Sequence, residues 1–271
     1  MPNLSVSVFA PVSPENIGIA IGNVLGSNIV NIALILGICM LMVVLRRPRY
    51  PSFLITVAKE EMGSLNFGLF IASIIPLALL YLGYASRFIG VVLVGIFVFY
   101  MVQIARKKLR RNGTVLSAER SKLRGHVLHA VGGATVVVAS AFFIVESATI
   151  IATSLSVPSV VIGATVVAFG TSVPAFFISV SSVRKGHFDL ALSDIVGSGF
   201  INITLILGIA LVLSPLSVSM SAFSSLVLFS LFTNLFLWYF LSSERISWRE
   251  GALLVFLYAV FLVVTFGGYR S

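Results

Sequence analysis

Charged residues and cysteine are both scarce in this chain of 271 residues. Only 10% of the residues are charged, whereas soluble domains carry about 25%. Hydrophobic residues make up 58%, and the mean hydropathy is +1.09. The lack of charge excludes an ordinary soluble domain, and apolar runs of about 20 residues recur, each long enough to cross a bilayer as a helix. The sequence therefore predicts an all-α polytopic membrane protein.

Other absences narrow the class further. The single cysteine, Cys39, excludes a disulfide framework. The first segment lacks a basic start and a small-residue cleavage site, so we predict no cleavable signal peptide. No His-Glu-x-x-His motif, nucleophile elbow or pair of catalytic carboxylates occurs in or near the apolar runs. We expect a protein that is not an enzyme and that needs no cofactor.

The apolar runs predict eight full helices and one partial helix. A short apolar piece at 2–12 cannot cross a membrane alone, and we interpret it as the second half of a span. The predicted full spans are 18–45, 66–84, 86–105, 125–152, 157–183, 188–214, 219–242 and 248–267.

The basic residues support this segmentation. The net charge is +9, which in another chain would suggest nucleic acid, but sixteen of the eighteen Lys and Arg residues fall in alternate gaps between the spans. This pattern is typical of cytoplasmic loops, so we expect the lipid bilayer as partner and no nucleic acid. Eight of them lie in 106–124, a predicted cytoplasmic linker between a first half, 1–105, and a second half, 125–271. The linker either only orients the chain or also binds anionic lipid or a regulator.

An internal repeat relates the two halves. The string "GNVLGSNIVNIALILG" (22–37) returns as "SDIVGSGFINITLILG" (193–208), and aligning 23–38 on 194–209 gives identity at nine of sixteen positions. Upstream, "PNLSVSV" (2–8) aligns with "PAFFISV" (174–180). Five predicted helices, an odd number, separate the start of the second helix of the first copy from the start of its counterpart, so the two copies enter the membrane from opposite sides. Inverted-topology repeats are typical of secondary transporters, whose substrate site lies between the repeats.

Small and polar residues interrupt both copies. We expect Gly22, Gly26 and Ser27, and likewise the segment 170–174, to weaken their helices and release backbone carbonyls. Such oxygens, with hydroxyls and Asn side chains, are ligands suited to Na⁺ or Ca²⁺. The alternative for the two glycines is a small-xxx-small packing face. For Asn31 and Asn202, which occupy matching positions, the symmetry favours an ion-facing role over a simple interhelical hydrogen bond.

These motifs resemble the sodium/calcium exchanger (cation/Ca²⁺ antiporter) superfamily. The stretch 161–208, "VIGATVVAFGTSVPAFFISVSSVRKGHFDLALSDIVGSGFINITLILG", is similar to the second repeat of that family, and 2–37 is similar to the first. We call them repeat 2 and repeat 1. The resemblance implies ten helices and cation exchange by alternating access. It also suggests that the chain lacks the first helix of the family and the start of the second.

The resemblance implies a cation site in this chain, with two departures from the usual ligands of the family. Its implied ligands are Ser27, Asn31, Thr171, Ser172, Ser198 and Asn202. The usual glutamate positions hold Asn3, which we include among the candidate ligands, and Ala175 instead. Asp194 is a candidate carboxylate ligand, or else it satisfies the amides at the start of its helix. Glu146 is the other carboxylate in a span, and we interpret it as an interfacial or interhelical anchor.

Two functions remain open from the sequence. The first is a secondary active cation antiporter that favours a monovalent cation over Ca²⁺, because a desolvated divalent ion needs anionic ligands. Na⁺ or Ca²⁺ would be substrates and not cofactors. The second is a truncated or transport-inactive relative that acts as a scaffold or partner subunit. We expect a multi-pass protein of a prokaryotic plasma membrane.

Overall fold

The computed structural model describes residues 14–46, 51–82, 86–111, 157–213, 220–242 and 248–267, with four isolated positions between 143 and 154. These residues are helical apart from short connections, and no strand occurs among them. The helices are α1 (Pro14–Ile29), α2 (Gly37–Arg46), α3 (Pro51–Leu82), α4 (Arg87–Arg111), α5 (Ser159–Ile162), α6 (Ala168–Arg184), α7 (Phe188–Ile201), α8 (Leu207–Leu213), α9 (Met220–Ser242) and α10 (Trp248–Gly267). Three π-helical segments join some of them: π1 (Val30–Leu36), π2 (Gly163–Val167) and π3 (Asn202–Ile206).

Five helices in the described ranges are long and apolar enough to cross a membrane. They are Gly18–Val44, Ser159–Arg184, Phe188–Leu213, Phe223–Ser242 and Trp248–Gly267, and two shorter apolar helices cover Phe67–Leu82 and Arg87–Gln103. Seven of the eight predicted spans therefore have a helical counterpart. The eighth, 125–152, and the partial span at 2–12 lie outside the described residues. The chain is an integral membrane protein of the all-α class.

One predicted boundary is wrong. The span at 66–84 was expected to follow a loop, but α3 already begins at Pro51. Proline is well suited to the first position of a helix, because its missing N–H is not needed there. The polar residues Lys59, Glu60 and Glu61 belong to this helix and not to a loop. Hydropathy located the apolar part of α3 and missed its polar beginning.

The expected breaks at the glycine-rich motifs do not occur. Gly22 and Gly26 lie inside the continuous helix α1, and the segment 170–174 lies inside α6, including Pro174. A Cβ on Gly22 would collide with the Val160 carbonyl of α5, and one on Gly26 with Ala164 of π2. The two glycines therefore form a packing face, because only Gly allows two helix backbones to approach so closely.

The two halves pack in matching ways. Gly37 is the first residue after π1, and its repeat equivalent, Gly208, is the second residue after π3. An ideal Cβ on Gly37 would lie 3.1 Å from the Gly251 carbonyl oxygen of α10, and one on Gly208 would lie 3.1 Å from the Gly90 carbonyl oxygen of α4. Accordingly α10 packs on α2 and π1, while α4 packs on α8 and π3. The inverted repeat thus extends from the motifs to the helices that follow them.

The turn between α6 and α7 depends on one glycine. Gly186 has φ 88°, a left-handed conformation that side chains disfavour. The amide of Gly186 donates to the Val183 carbonyl at 3.0 Å, and that of His187 donates to the Ser182 carbonyl at 2.9 Å. These bonds end α6 and direct α7 back alongside it, so the two helices of repeat 2 lie in contact.

Candidate cation site

A row of polar side chains runs along the buried face of α1 and π1. Asn23, Ser27 and Asn31 recur every four residues, so they lie on one face of the helix. Asn23 and Ser27 are fully buried, and Asn31 is 3% exposed. Buried polar groups inside a membrane need partners within the protein. The partners of this row come from both helices of repeat 2.

The first contact joins α1 to α6. The Thr171 hydroxyl lies 2.9 Å from Asn23 Oδ1, 2.9 Å from the Val167 carbonyl and 3.2 Å from the Ala168 carbonyl, so its single proton has three possible acceptors. The Ser27 hydroxyl lies 3.3 Å from the same Asn23 oxygen. One asparagine oxygen is therefore within hydrogen-bond distance of two hydroxyl groups at the crossing of the two helices. Asn23 was not among the predicted site residues, although its spacing to Ser27 and Asn31 signalled it.

The second contact joins π1 to α7. Asn31 Nδ2 donates to Ser198 Oγ at 3.0 Å, and the Ser198 hydroxyl in turn donates to the Ile195 carbonyl at 2.9 Å. Asn31 Oδ1 is buried and has no hydrogen-bond partner among the described residues. Its lone pairs are therefore available to a ligand at the interface of the two repeats.

Two further predicted residues lie in the same interior. Ser172 of α6 is 3% exposed, and its hydroxyl has no hydrogen-bond partner in the described part of the chain. Asn202 is also 3% exposed and begins π3, while Asn31 is the second residue of π1. Both asparagines of the repeat therefore lie in π-helix. Such wide turns are rare and are found frequently at functional sites.

The position after Ser27 breaks the symmetry of the repeat. Asn28 and Gly199 are equivalent in the alignment, and they face each other in the structure. An ideal Cβ on Gly199 would lie 2.9 Å from Asn28 Oδ1. Asn28 is fully buried, and neither its oxygen nor its nitrogen has a hydrogen-bond partner within the described ranges. Gly199 thus provides the space for the Asn28 amide, a pairing that we did not predict from sequence.

The carboxylate candidates are not part of this cluster as far as the structure describes it. Asp194 is the seventh residue of α7, beyond the first turn, and its side chain is exposed. The expectation that it satisfies the amides at the helix start is therefore wrong; Asp189 occupies that first turn. Ala175 is partly buried on α6. Asn3 and Glu146 lie outside the described residues.

The available ligands are neutral oxygens. Among the described side chains, no group of three or more His, Cys, Asp or Glu residues is arranged to hold a metal ion. The described oxygens at the crossing come from Asn and from the hydroxyls of Ser and Thr. Oxygen sites tune their affinity for divalent ions by ligand charge, and these described oxygens carry none.

The fold and this buried, uncharged cluster define a membrane transporter built from inverted repeats. The family model described as "Sodium/calcium exchanger protein" matches residues 1–105 and 126–267. The chain belongs to this family, whose members are exchanger-type antiporters and not enzymes.

Two relatives illustrate the likeness in sequence. The inner membrane protein YrbG of Escherichia coli is 29% identical over 234 residues, which cover 83% of this chain and 69% of YrbG. The sodium/calcium exchanger MaX1 of Methanosarcina acetivorans is 30% identical over 134 residues, which cover 49% of this chain and 38% of MaX1.

Three solved structures share the fold at low sequence identity. The H⁺/Ca²⁺ exchanger CAX matches with a TM-score of 0.67 at 17% identity, over 97% of this chain and 70% of CAX. Native YfkE matches with a TM-score of 0.68 at 20% identity, over 98% of this chain and 80% of YfkE. The sodium-calcium exchanger NCX_Mj, soaked with 100 mM Na⁺ and 10 mM Sr²⁺, matches with a TM-score of 0.63 at 24% identity, over 97% of this chain and 81% of NCX_Mj.

Proposed function

We propose that this protein exchanges cations across the membrane by alternating access, with one ion site between the two repeats. The observation that carries the proposal is the contact of Asn31 with Ser198. It joins matching helices of the inverted repeats and leaves a buried amide oxygen facing their interface. Secondary transporters place their substrate at such an interface.

The proposed ligands are the oxygens of Ser27, Asn31, Thr171, Ser172, Ser198 and Asn202. Asn23 is added as the residue that holds Thr171 and Ser27 in place. We retain Asn3 and Asp194 as candidate ligands on the family motif alone, since Asn3 lies outside the described residues and the Asp194 side chain is exposed.

The proposed substrate is a monovalent cation, with Na⁺ favoured over Ca²⁺. The names of MaX1, NCX_Mj and CAX include Ca²⁺ exchange with Na⁺ or H⁺. In this chain, however, the position after Pro174 holds Ala175 and supplies no carboxylate. A monovalent ion brings half the charge of Ca²⁺ into an uncharged site, so the electrostatic cost of its desolvation is lower.

Counterflow in proteoliposomes tests the function directly. The purified chain is reconstituted, and fluxes of Na⁺, K⁺ and Ca²⁺ are measured under opposed cation and pH gradients. We expect exchange driven by a Na⁺ gradient. Absence of flux under every gradient would favour the alternative, a transport-inactive partner subunit.

The variant Asn31→Ala tests the site. We expect it to lower Na⁺ flux by on the order of tenfold or more, the scale at which losses around metal sites fall. The matched control is Asn234→Ala. Asn234 of α9 is also buried and also donates to a serine, Ser73 of α3, at 3.0 Å, but it lies outside the repeats. Equal flux in the two variants would overturn the site assignment.

A further inference from the structure

A cavity of about 180 Å³ lies against Ser172, between π1 and α6. One wall consists of four aliphatic side chains of π1 and α2, among them Leu34 and Ile38. The opposite wall consists of Phe169, Val173 and Phe176, together with Ser172. The lining contains no charged side chain, so a ligand of this cavity has to be neutral and largely apolar.

Ser172 is the single polar side chain of the lining. It is 3% exposed, and its hydroxyl has no hydrogen-bond partner in the part of the chain that the structure describes. A buried hydroxyl without a partner is costly, so such a group calls for an explanation. Water is a poor partner here, because a buried water needs two to four polar contacts and the lining side chains offer one.

We propose that this cavity binds a small neutral amphiphile of the phenol or short alkanol class. Its apolar body would fill the space between π1 and α6, and its hydroxyl would hydrogen-bond to Ser172 Oγ. The size is suitable, since an apolar cavity of about 150 Å³ binds benzene in another protein. Phe169 lines the cavity and is half exposed, so the cavity reaches the protein surface beside it. A ligand dissolved in the bilayer can enter there.

Occupancy has a consequence for exchange, and this step rests on the proposed function. Ser172 is a proposed ion ligand, and π1 carries Asn31. A bound amphiphile hydrogen-bonds to Ser172 and fixes the distance between π1 and α6. The ligand therefore inhibits cation flux by occupying one of the proposed ion ligands.

Binding of phenol and benzene to the full chain in detergent tests the cavity. We expect phenol to bind about fivefold more tightly than benzene, the factor that one net hydrogen bond supplies. Ser172→Ala should lower the phenol affinity to that of benzene and leave benzene binding unchanged. Equal affinities of the two probes for the unmodified chain would overturn the proposal, and would indicate a simple hydrocarbon or lipid-tail site.

Variants that fill the cavity provide a second test of the proposed binding site. Val173→Phe and Leu34→Phe, from opposite walls, should each abolish binding of both probes. The control is Ile178→Phe, which adds the same ring to α6 at an exposed position outside the lining. Phenol binding that survives in a folded filling variant would contradict the site. These measurements do not involve transport, so a failure here is distinct from a failure of the proposed exchange.

Discussion

Asparagine and hydroxyl oxygens occupy the interior positions at which the repeats of this protein meet. Asn23 Oδ1 receives the hydroxyls of Thr171 and Ser27, while Asn31 holds Ser198 and keeps its own oxygen unbonded among the described residues. The cost of desolvating an ion rises with the square of its charge, so the neutral ligands of the proposed site would discriminate against divalent ions. At the scale of single residues, selectivity therefore depends on which side chains carry charge.

Adding a carboxylate to this interior should change the preferred ion. Ala175 lies four residues after Thr171 and hence on the same face of α6. We expect Ala175→Glu to raise Ca²⁺ affinity by about tenfold or more relative to Na⁺, since an added anionic ligand strengthens Ca²⁺ binding. Competition of Ca²⁺ with Na⁺ flux in proteoliposomes measures this. Ala175→Gln is the uncharged control of the same shape, and an equal shift in both variants would contradict the charge argument.

The pair formed by Asn28 and Gly199 should behave as one unit. Gly199→Ala places a Cβ 2.9 Å from Asn28 Oδ1, so we expect a loss of about 1–2 kcal/mol in stability from overpacking. Adding Asn28→Ala removes the colliding amide and should recover most of the lost stability. Thermal unfolding of the two single variants and the double variant gives the coupling energy. Additive effects would show that the two side chains do not interact.

At the scale of elements, hydropathy determines where most helices lie. The prediction 188–214 differs by one residue from the observed Phe188–Leu213, and 248–267 coincides with Trp248–Gly267. The beginning of α3 was missed by fifteen residues, because its first part carries charge and reads as a loop. Hydropathy therefore locates membrane boundaries and not helix boundaries.

The π-helical segments and the packing of the glycines were not predictable in the same way. π1 contains one polar residue, Asn31, among six apolar ones, so no periodicity distinguishes a wide turn from an ordinary one. The polar row of the site was predictable from the spacing of four residues between its members along α1 and π1. Its partners Thr171 and Ser198 required the alignment of the two repeats, and the pairing of Asn28 with Gly199 required the tertiary structure.

Glycines on a single helix should differ sharply in their tolerance of alanine. On Gly90 of α4 a Cβ would lie 2.7 Å from the Gly208 carbonyl oxygen, whereas a Cβ on Gly95 meets nothing within 4 Å. We expect Gly90→Ala to lower stability by about 1–3 kcal/mol. Gly95→Ala should be neutral or stabilise by up to about 1 kcal/mol, because alanine favours the helix. Unfolding in detergent compares them, and equal stabilities would contradict the close crossing of α4 and α8.

At the scale of the whole molecule, two halves with the same helix packing are inserted in opposite directions. The contact of Gly37 in the first half with Gly251 in the second is matched by the contact of Gly208 in the second half with Gly90 in the first. The distribution of basic residues assigns one set of loops to the cytoplasm. This arrangement makes the membrane sidedness of each connection a direct test.

Cysteine labelling of the loops measures that sidedness. Cys39 is fully buried and is the single cysteine of the chain, so Cys39→Ser supplies a clean background. Lys185 and Arg87 are both exposed, and they lie at connections of opposite predicted side. In intact cells an impermeant maleimide should label Arg87→Cys. It should label Lys185→Cys only after the cells are lysed. Labelling of both before lysis would contradict the inverted topology.

The contacts of the polar row also set an order of events during synthesis. Asn23 meets Thr171 across 148 residues of sequence, and Asn31 meets Ser198 across 167. At about 5–20 residues per second, the ribosome needs roughly 7–30 seconds to supply these partners. The first half therefore resides in the membrane before Thr171 and Ser198 exist. Completion of the buried hydrogen bonds is consequently a late step of biogenesis.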